Sequence, residues 1–83
     1  MKNFQIIAEV GSNWSGSEKI GKKMIKAAKL AGADYVKFQM WRASDLYKKS
    51  DPFWNYMKRS EVTPEIAKIF KKYSDEQNIK FFC

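Results

Sequence analysis

Three short apolar runs, at residues 4–10, 34–40 and 79–83, alternate with two longer segments whose apolar residues recur at helical spacing. This order, strand–helix–strand–helix–strand, constrains the fold more than any other feature. Strands separated by a helix have no tight turn to pair them antiparallel, so they pair in parallel through right-handed crossovers. Two architectures remain open: a doubly wound open sheet, and the opening βαβαβ portion of a (β/α)8 TIM barrel.

The second run carries the sharpest information. In Gly32-Ala33-Asp34-Tyr35-Val36-Lys37-Phe38-Gln39, strand side chains alternate with a period of two. Tyr35, Lys37 and Gln39 therefore share one face, and Val36 and Phe38 the other. The Val/Phe face suits packing against helices, which would leave the Lys/Gln face turned inward with no route to solvent. A lysine and a glutamine on an inward face require partners or a ligand. In the first run, Phe4, Ile6 and Ala8 fall on one face and Gln5, Ile7 and Glu9 on the other. The inward polar parity favours the barrel, whose functional residues lie at the C-terminal ends of its strands. Glu9, Lys37 and Gln39 occupy such ends. Neighbouring strands lie about 4.8 Å apart, so the Glu9 carboxylate can reach the Lys37 ammonium. Either the two form a structural ion pair at the barrel mouth or they hold an anionic ligand.

The first helix is expected from Ser17 or Glu18 to about Ala31. Ser17 serves as N-cap and Glu18 faces the positive end of the helix dipole. Ile20, Met24, Ala27, Ala28 and Ala31 form the apolar stripe, Lys19, Lys22, Lys23, Lys26 and Lys29 the solvated side, and Gly32 the stop. Residues 41–50 show no periodicity. Residues 52–59 read as a short helix with Phe53, Trp54 and Met57 on its apolar side. Thr63-Pro64-Glu65 is a second strong helix start, with Thr at the N-cap and Pro at N1. Ile66, Ile69, Phe70 and Tyr73 follow as its apolar stripe, and Asn78 ends it.

The formal net charge of +7 (16 Lys and Arg against 9 Asp and Glu) invites a nucleic-acid or membrane-surface reading. The pattern along the chain favours the plainer account, lysines on solvated helix faces. The chain has no histidine, which removes the commonest general acid–base group and metal ligand. With Cys83 as the single cysteine, no intramolecular disulfide forms, which suits a reducing compartment. The apolar run after Met1-Lys2-Asn3 is too short for a signal peptide, and no stretch is long enough to span a bilayer. A cytoplasmic location is the expectation. Residues 11–16, Gly-Ser-Asn-Trp-Ser-Gly, form a small-residue turn but match neither dinucleotide nor P-loop patterns.

Ile7-Ala8-Glu9-Val10-Gly11-Ser12-Asn13, Gly16-Ser17, Ala27-Ala28, Ala31-Gly32-Ala33-Asp34, Val36-Lys37-Phe38-Gln39 and Ala43-Ser44-Asp45-Leu46 together resemble the N-acetylneuraminate (sialic acid) synthase family across essentially the whole chain. The resemblance implies a (β/α)8 barrel that condenses phosphoenolpyruvate with an N-acylated amino sugar. The products are a sialic-type nonulosonic acid and phosphate. It implies a homodimer and a divalent metal, Mn or Mg, whose histidine ligands lie outside this chain. On that likeness Lys37 binds phosphoenolpyruvate, and Glu9 orients Lys37 or assists proton transfer. Gln39 lies near the sugar acceptor, and Asn13 is a substrate-binding loop residue. Trp14 departs from the pattern, standing where the family usually has histidine. N-acetylmannosamine, its 6-phosphate and the precursors of pseudaminic and legionaminic acid all remain open as acceptors.

On this reading residues 1–83 are the N-terminal fragment of the barrel domain, inactive by itself. A basic, aromatic-rich nucleic-acid-binding module is the rival. It loses ground because most aromatics fall on core-facing stripes and no RNA-recognition motif occurs.

Overall fold

The structure is a computed structural model and describes residues 4–83. The first three residues of the stretch read for a leader lie outside the described part. The elements in chain order are β1 (Ile7–Gly11), α1 (Glu18–Leu30), β2 (Tyr35–Phe38), α2 (Ala43–Leu46), α3 (Trp54–Arg59), α4 (Pro64–Glu76) and β3 (Lys80–Phe82). The three strands form one parallel sheet in the order β1-β2-β3. Sequential order with right-handed crossovers puts α1 and α4 on the same side of the sheet. A single shared core confirms this. Val10, Val36 and Phe38 from the strands meet Ile25 and Ala28 of α1 and Phe70 of α4.

Both long helices begin as their sequences dictate. Ser17 Oγ accepts a hydrogen bond from the Ile20 N–H at 3.2 Å, and Thr63 Oγ1 accepts from the Ile66 N–H at 3.2 Å. Each satisfies an N–H that the helix leaves without an internal partner. The ends are equally local. Gly32 follows α1 at φ +91 and Asn78 follows α4 at φ +58, both in the left-handed region that stops a helix. Asp34 then aligns the first two strands: its N–H donates to the Ile6 carbonyl at 2.8 Å, and its Oδ2 accepts from the Ile6 N–H at 2.8 Å.

The buried face of α1 differs from the expected stripe. Gly21, Ile25 and Ala28 are buried, whereas Ile20 is 41% exposed and Ala27 and Ala31 are exposed. The helix is turned by about one position because α4 approaches it over Gly21. A Cβ at Gly21 would stand 2.3 Å from Phe70 Cζ, so only glycine admits the ring. Around that ring an aromatic cluster forms. Phe38 and Phe70 stack at 4.6 Å, and Trp14 meets Phe70 edge-on at 5.3 Å and Phe38 at 6.4 Å.

Two of the lysines assigned to solvent have partners. Lys29 Nζ donates to the Asn78 carbonyl at 3.0 Å, and Lys22 pairs with Glu18 at 3.0 Å and lies over the Tyr73 ring at 5.6 Å. Within 41–50, the short helix α2 forms where no periodicity announced it. Its first N–H, at Ala43, donates to Glu61 Oε1 at 2.6 Å, a tertiary cap from a residue far along the chain. In α3, Trp54 and Met57 are half-buried but Phe53 is 65% exposed, so Phe53 does not join the apolar side expected of it.

Candidate functional site

Strand alternation divides the sheet into two unlike faces. Val36 and Phe38 are fully buried under the helices. Tyr35 and Lys37 lie on the other face, in register with Ile7 and Glu9 of β1 and with Lys80 and Phe82 of β3. This face is open to solvent among the described residues. The expectation that the helices would leave it no route to solvent is therefore corrected: α1 and α4 both pack on the opposite side.

Glu9 and Lys37 are directly paired in the parallel register. Their carboxylate and ammonium stand 3.4 Å apart, with the lysine side chain 41% and the glutamate side chain 49% exposed. An ion pair this exposed contributes about 0–1 kcal/mol to stability. It is thus a poor structural fastener but leaves both groups accessible to a ligand.

Immediately after Glu9 the ladder slips: Glu9 pairs with Lys37, but Gly11 pairs with Phe38, so Val10 is an extra residue in β1. Such a bulge bends the strand end and re-aims the residues beyond it. Gly11 takes φ +59 to make it. Its carbonyl accepts from the Gln39 N–H at 3.3 Å. The side-chain oxygens Gln39 Oε1 and Glu9 Oε1 each lie 3.4 Å from where a Gly11 Cβ would be. Glu9, Lys37 and Gln39 therefore converge around one strand end. Asn13 lies in the following turn, exposed, with its backbone N–H bonded to the Val10 carbonyl at 3.0 Å. It is the fold's backbone, rather than its side chain, that ties Asn13 in place.

Trp14 is a core residue, 3% exposed. Its Nε1 is buried without a hydrogen-bond partner among the described residues. The histidine position of the family pattern is thus filled here by packing surface.

Glu61 and Tyr56 carried no sequence signal for the contacts they make, and Gly16 was read only as part of a small-residue turn. Glu61 caps α2 and also receives Lys58 Nζ at 3.2 Å. The Ala43 N–H bonded to it holds its carboxyl below the usual carboxylate range, with Lys58 adding to the effect against the cost of burial. Tyr56 donates its hydroxyl to the Ser12 carbonyl at 3.1 Å. Gly16 lies against the Arg59 backbone so closely that a Cβ would come within 2.2 Å of the Arg59 oxygen. Only the tertiary structure brings these distant segments together.

The NeuB family matches residues 24–83, a span that includes Lys37 and Gln39. The chain belongs to the NeuB family. Among its relatives, the N,N'-diacetyllegionaminic acid synthase of Legionella pneumophila is 42% identical over 55 residues, covering 66% of this chain and 15% of that protein. The pseudaminic acid synthase of Campylobacter jejuni is 46% identical over 50 residues, covering 60% of this chain and 15% of its own. The crystal structure of N-acetylneuraminic acid (sialic acid) synthetase from Leptospira borgpetersenii serovar Hardjo-bovis, in complex with citrate, superposes with a TM-score of 0.85 at 31% identity. It covers 93% of this chain and 27% of that one. The chain spans less than a quarter of the length of the curated relatives it matches. Two descriptions are now secure: a parallel βαβαβ sheet, and kinship with synthases of sialic-type acids.

A divalent metal does not fit the residues of this NeuB-family chain. Among the described residues no three of His, Cys, Asp or Glu come together in a way that could hold one, and the sequence has no histidine. Among the described residues, no helix is long and apolar enough to cross a membrane.

Proposed function

We propose that this chain forms the first three strands of a NeuB-type (β/α)8 barrel. The barrel would condense phosphoenolpyruvate with an N-acylated amino sugar, giving a nonulosonic acid and phosphate. The observation that carries the proposal is the Glu9–Lys37 pair. Opposite charges 3.4 Å apart sit half-exposed at adjacent parallel strand ends, inside a fold shared with a sialic acid synthetase.

Lys37 supplies a compact cation for the carboxylate or phosphate of phosphoenolpyruvate. Glu9 fixes the ammonium in the absence of the anion and accepts or returns a proton beside it as the intermediate forms and collapses. Gln39, whose amide both donates and accepts, meets the sugar acceptor, with Asn13 at the rim. The acceptor is an N-acylated amino sugar of the class used to make sialic, legionaminic or pseudaminic acids. The reaction takes place in the cytoplasm and in a homodimer, with any divalent metal held outside residues 1–83.

The test is a full-length chimera in which these 83 residues replace the matched segment of the Leptospira synthetase. Phosphate release from phosphoenolpyruvate that depends on an amino sugar, and that is lost in Lys37→Ala, is the expected result. A folded chimera without turnover, while the parent synthetase is active, would overturn the reading.

A further inference from the structure

The turn after Glu9 is held from outside by α3. Asn13, Ser15 and Ser17 donate their N–H groups to the carbonyls of Val10, Ser12 and Trp14 at 3.0, 3.2 and 3.0 Å. Residues 13–17 thus form a series of tight, local hydrogen bonds. Ser15 at φ +57 and Gly16 at φ +76 are both left-handed, a conformation a non-glycine residue keeps only where its surroundings enforce it.

Those surroundings are α3. The Tyr56 hydroxyl donates to the Ser12 carbonyl at 3.1 Å, the same oxygen that receives the Ser15 N–H. One turn on, the Arg59 backbone lies against Gly16 with no room for a Cβ. The Arg59 guanidinium covers the Tyr56 ring at 4.9 Å and so restricts how the phenol can swing. Helix α3 has only six residues and no side-chain cap. Such a helix does not persist by itself, so turn and helix hold each other.

We propose that Tyr56 is a positioning residue: its hydroxyl, through Ser12, holds the β1–α1 turn so that Gly11, at the start of that turn, stays placed beside Glu9 of the Glu9–Lys37 pair. This rests on the proposed synthase function, because it assigns Tyr56 to the same site. The anion-binding end of the sheet is continuous with this turn through Gly11. A turn released from α3 spends part of its time misplaced, and apparent affinity falls by the fraction of competent molecules. Saturating substrate restores the competent arrangement, so the turnover rate is kept.

The discriminating variant is Tyr56→Phe in the Leptospira chimera. It deletes one oxygen and keeps the ring under Arg59. The expected result has two parts. The KM for phosphoenolpyruvate rises about threefold to tenfold with kcat within a factor of two, the range one hydrogen bond commands. Amide exchange at Asn13, Ser15 and Ser17 also quickens while exchange within α1 is unchanged. A variant that loses kcat at constant KM has lost folded molecules instead, and that overturns the proposal. Unchanged exchange in the turn overturns it whatever the kinetics. A chimera inactive even with Tyr56, whose turn still responds to Tyr56→Phe, identifies the reaction as the failed part. The positioning role then falls with it, while the hold on the turn stands.

Discussion

Glu9 and Lys37 face one another across β1 and β2 with 3.4 Å between carboxylate and ammonium, one position before the bulge in the β1 ladder. The pair is thus rigidly registered on its backbone side and open on its solvent side. The first consequence is kinetic. In an active full-length protein, Lys37→Ala removes the cation that the proposed reaction uses to hold the phosphoenolpyruvate anion. Such a loss costs on the order of 2–4 kcal/mol, or roughly a hundredfold or more in kcat/KM. Lys37→Arg restores little, because a planar fork does not replace a point charge. Steady-state kinetics and thermal melts separate this outcome from unfolding. A Lys37→Ala protein that unfolds instead would make the pair a structural plug.

Lys29 is the control, with a refinement that only the structure supplies. Its ammonium caps the end of α4 through the Asn78 carbonyl at 3.0 Å. Lys29→Ala is expected to lower stability by up to about 1 kcal/mol, read as a shift of the urea midpoint. The kinetic constants are expected to remain unchanged. Equal kinetic losses at Lys29 and Lys37 would favour diffuse electrostatic attraction over a site.

Trp14 tests what the departure from the family pattern means. Because the indole is buried against Phe38 and Phe70, Trp14→His exchanges packing surface for a smaller polar ring. The expected loss is about 2–4 kcal/mol, seen as an earlier unfolding transition. A stable Trp14→His variant would mean that the position tolerates a polar ring and that the aromatic cluster is dispensable.

Gly21→Ala examines the contact that rotates α1. The added methyl meets Phe70, which is fully buried. Overpacking of about 1–3 kcal/mol works against a helix-propensity gain of roughly 1 kcal/mol. The melting temperature is expected to fall. A rise would show that α4 moves away freely.

Glu61 sets a pH dependence. The Ala43 N–H holds its carboxyl below the ordinary value of 4.5. A group whose acidity is strengthened by folding contributes stability that is complete above its unfolded pKa and disappears as pH falls through the folded one. The wild-type protein is therefore expected to lose more stability than Glu61→Gln on going from pH 7 to below about 4.5. Denaturant titrations at the two pH values measure the difference, and parallel losses in both proteins would contradict the capping role.

Local physics wrote much of this molecule directly into the sequence. Ser17 and Thr63 start helices by satisfying N–H groups three residues away, and Gly32 and Asn78 stop them by tolerating positive φ. Period-two alternation placed Val36 and Phe38 opposite Lys37, and parity put Glu9 within reach of that lysine. Each of these depends on a few consecutive residues.

What only the tertiary structure decided depends on distant ones. The choice between the Ile20 and Gly21 faces of α1 was made by Phe70 of α4, since two neighbouring stripes differ by only a small rotation and the partner selects between them. Helix α2 exists because the Glu61 carboxylate reaches Ala43. The turn beside Glu9 takes its shape from Tyr56 and Arg59. The sequence placed the charged groups on one strand end, because strand geometry is local. Their support came from contacts between segments far apart in the chain, which no local pattern records.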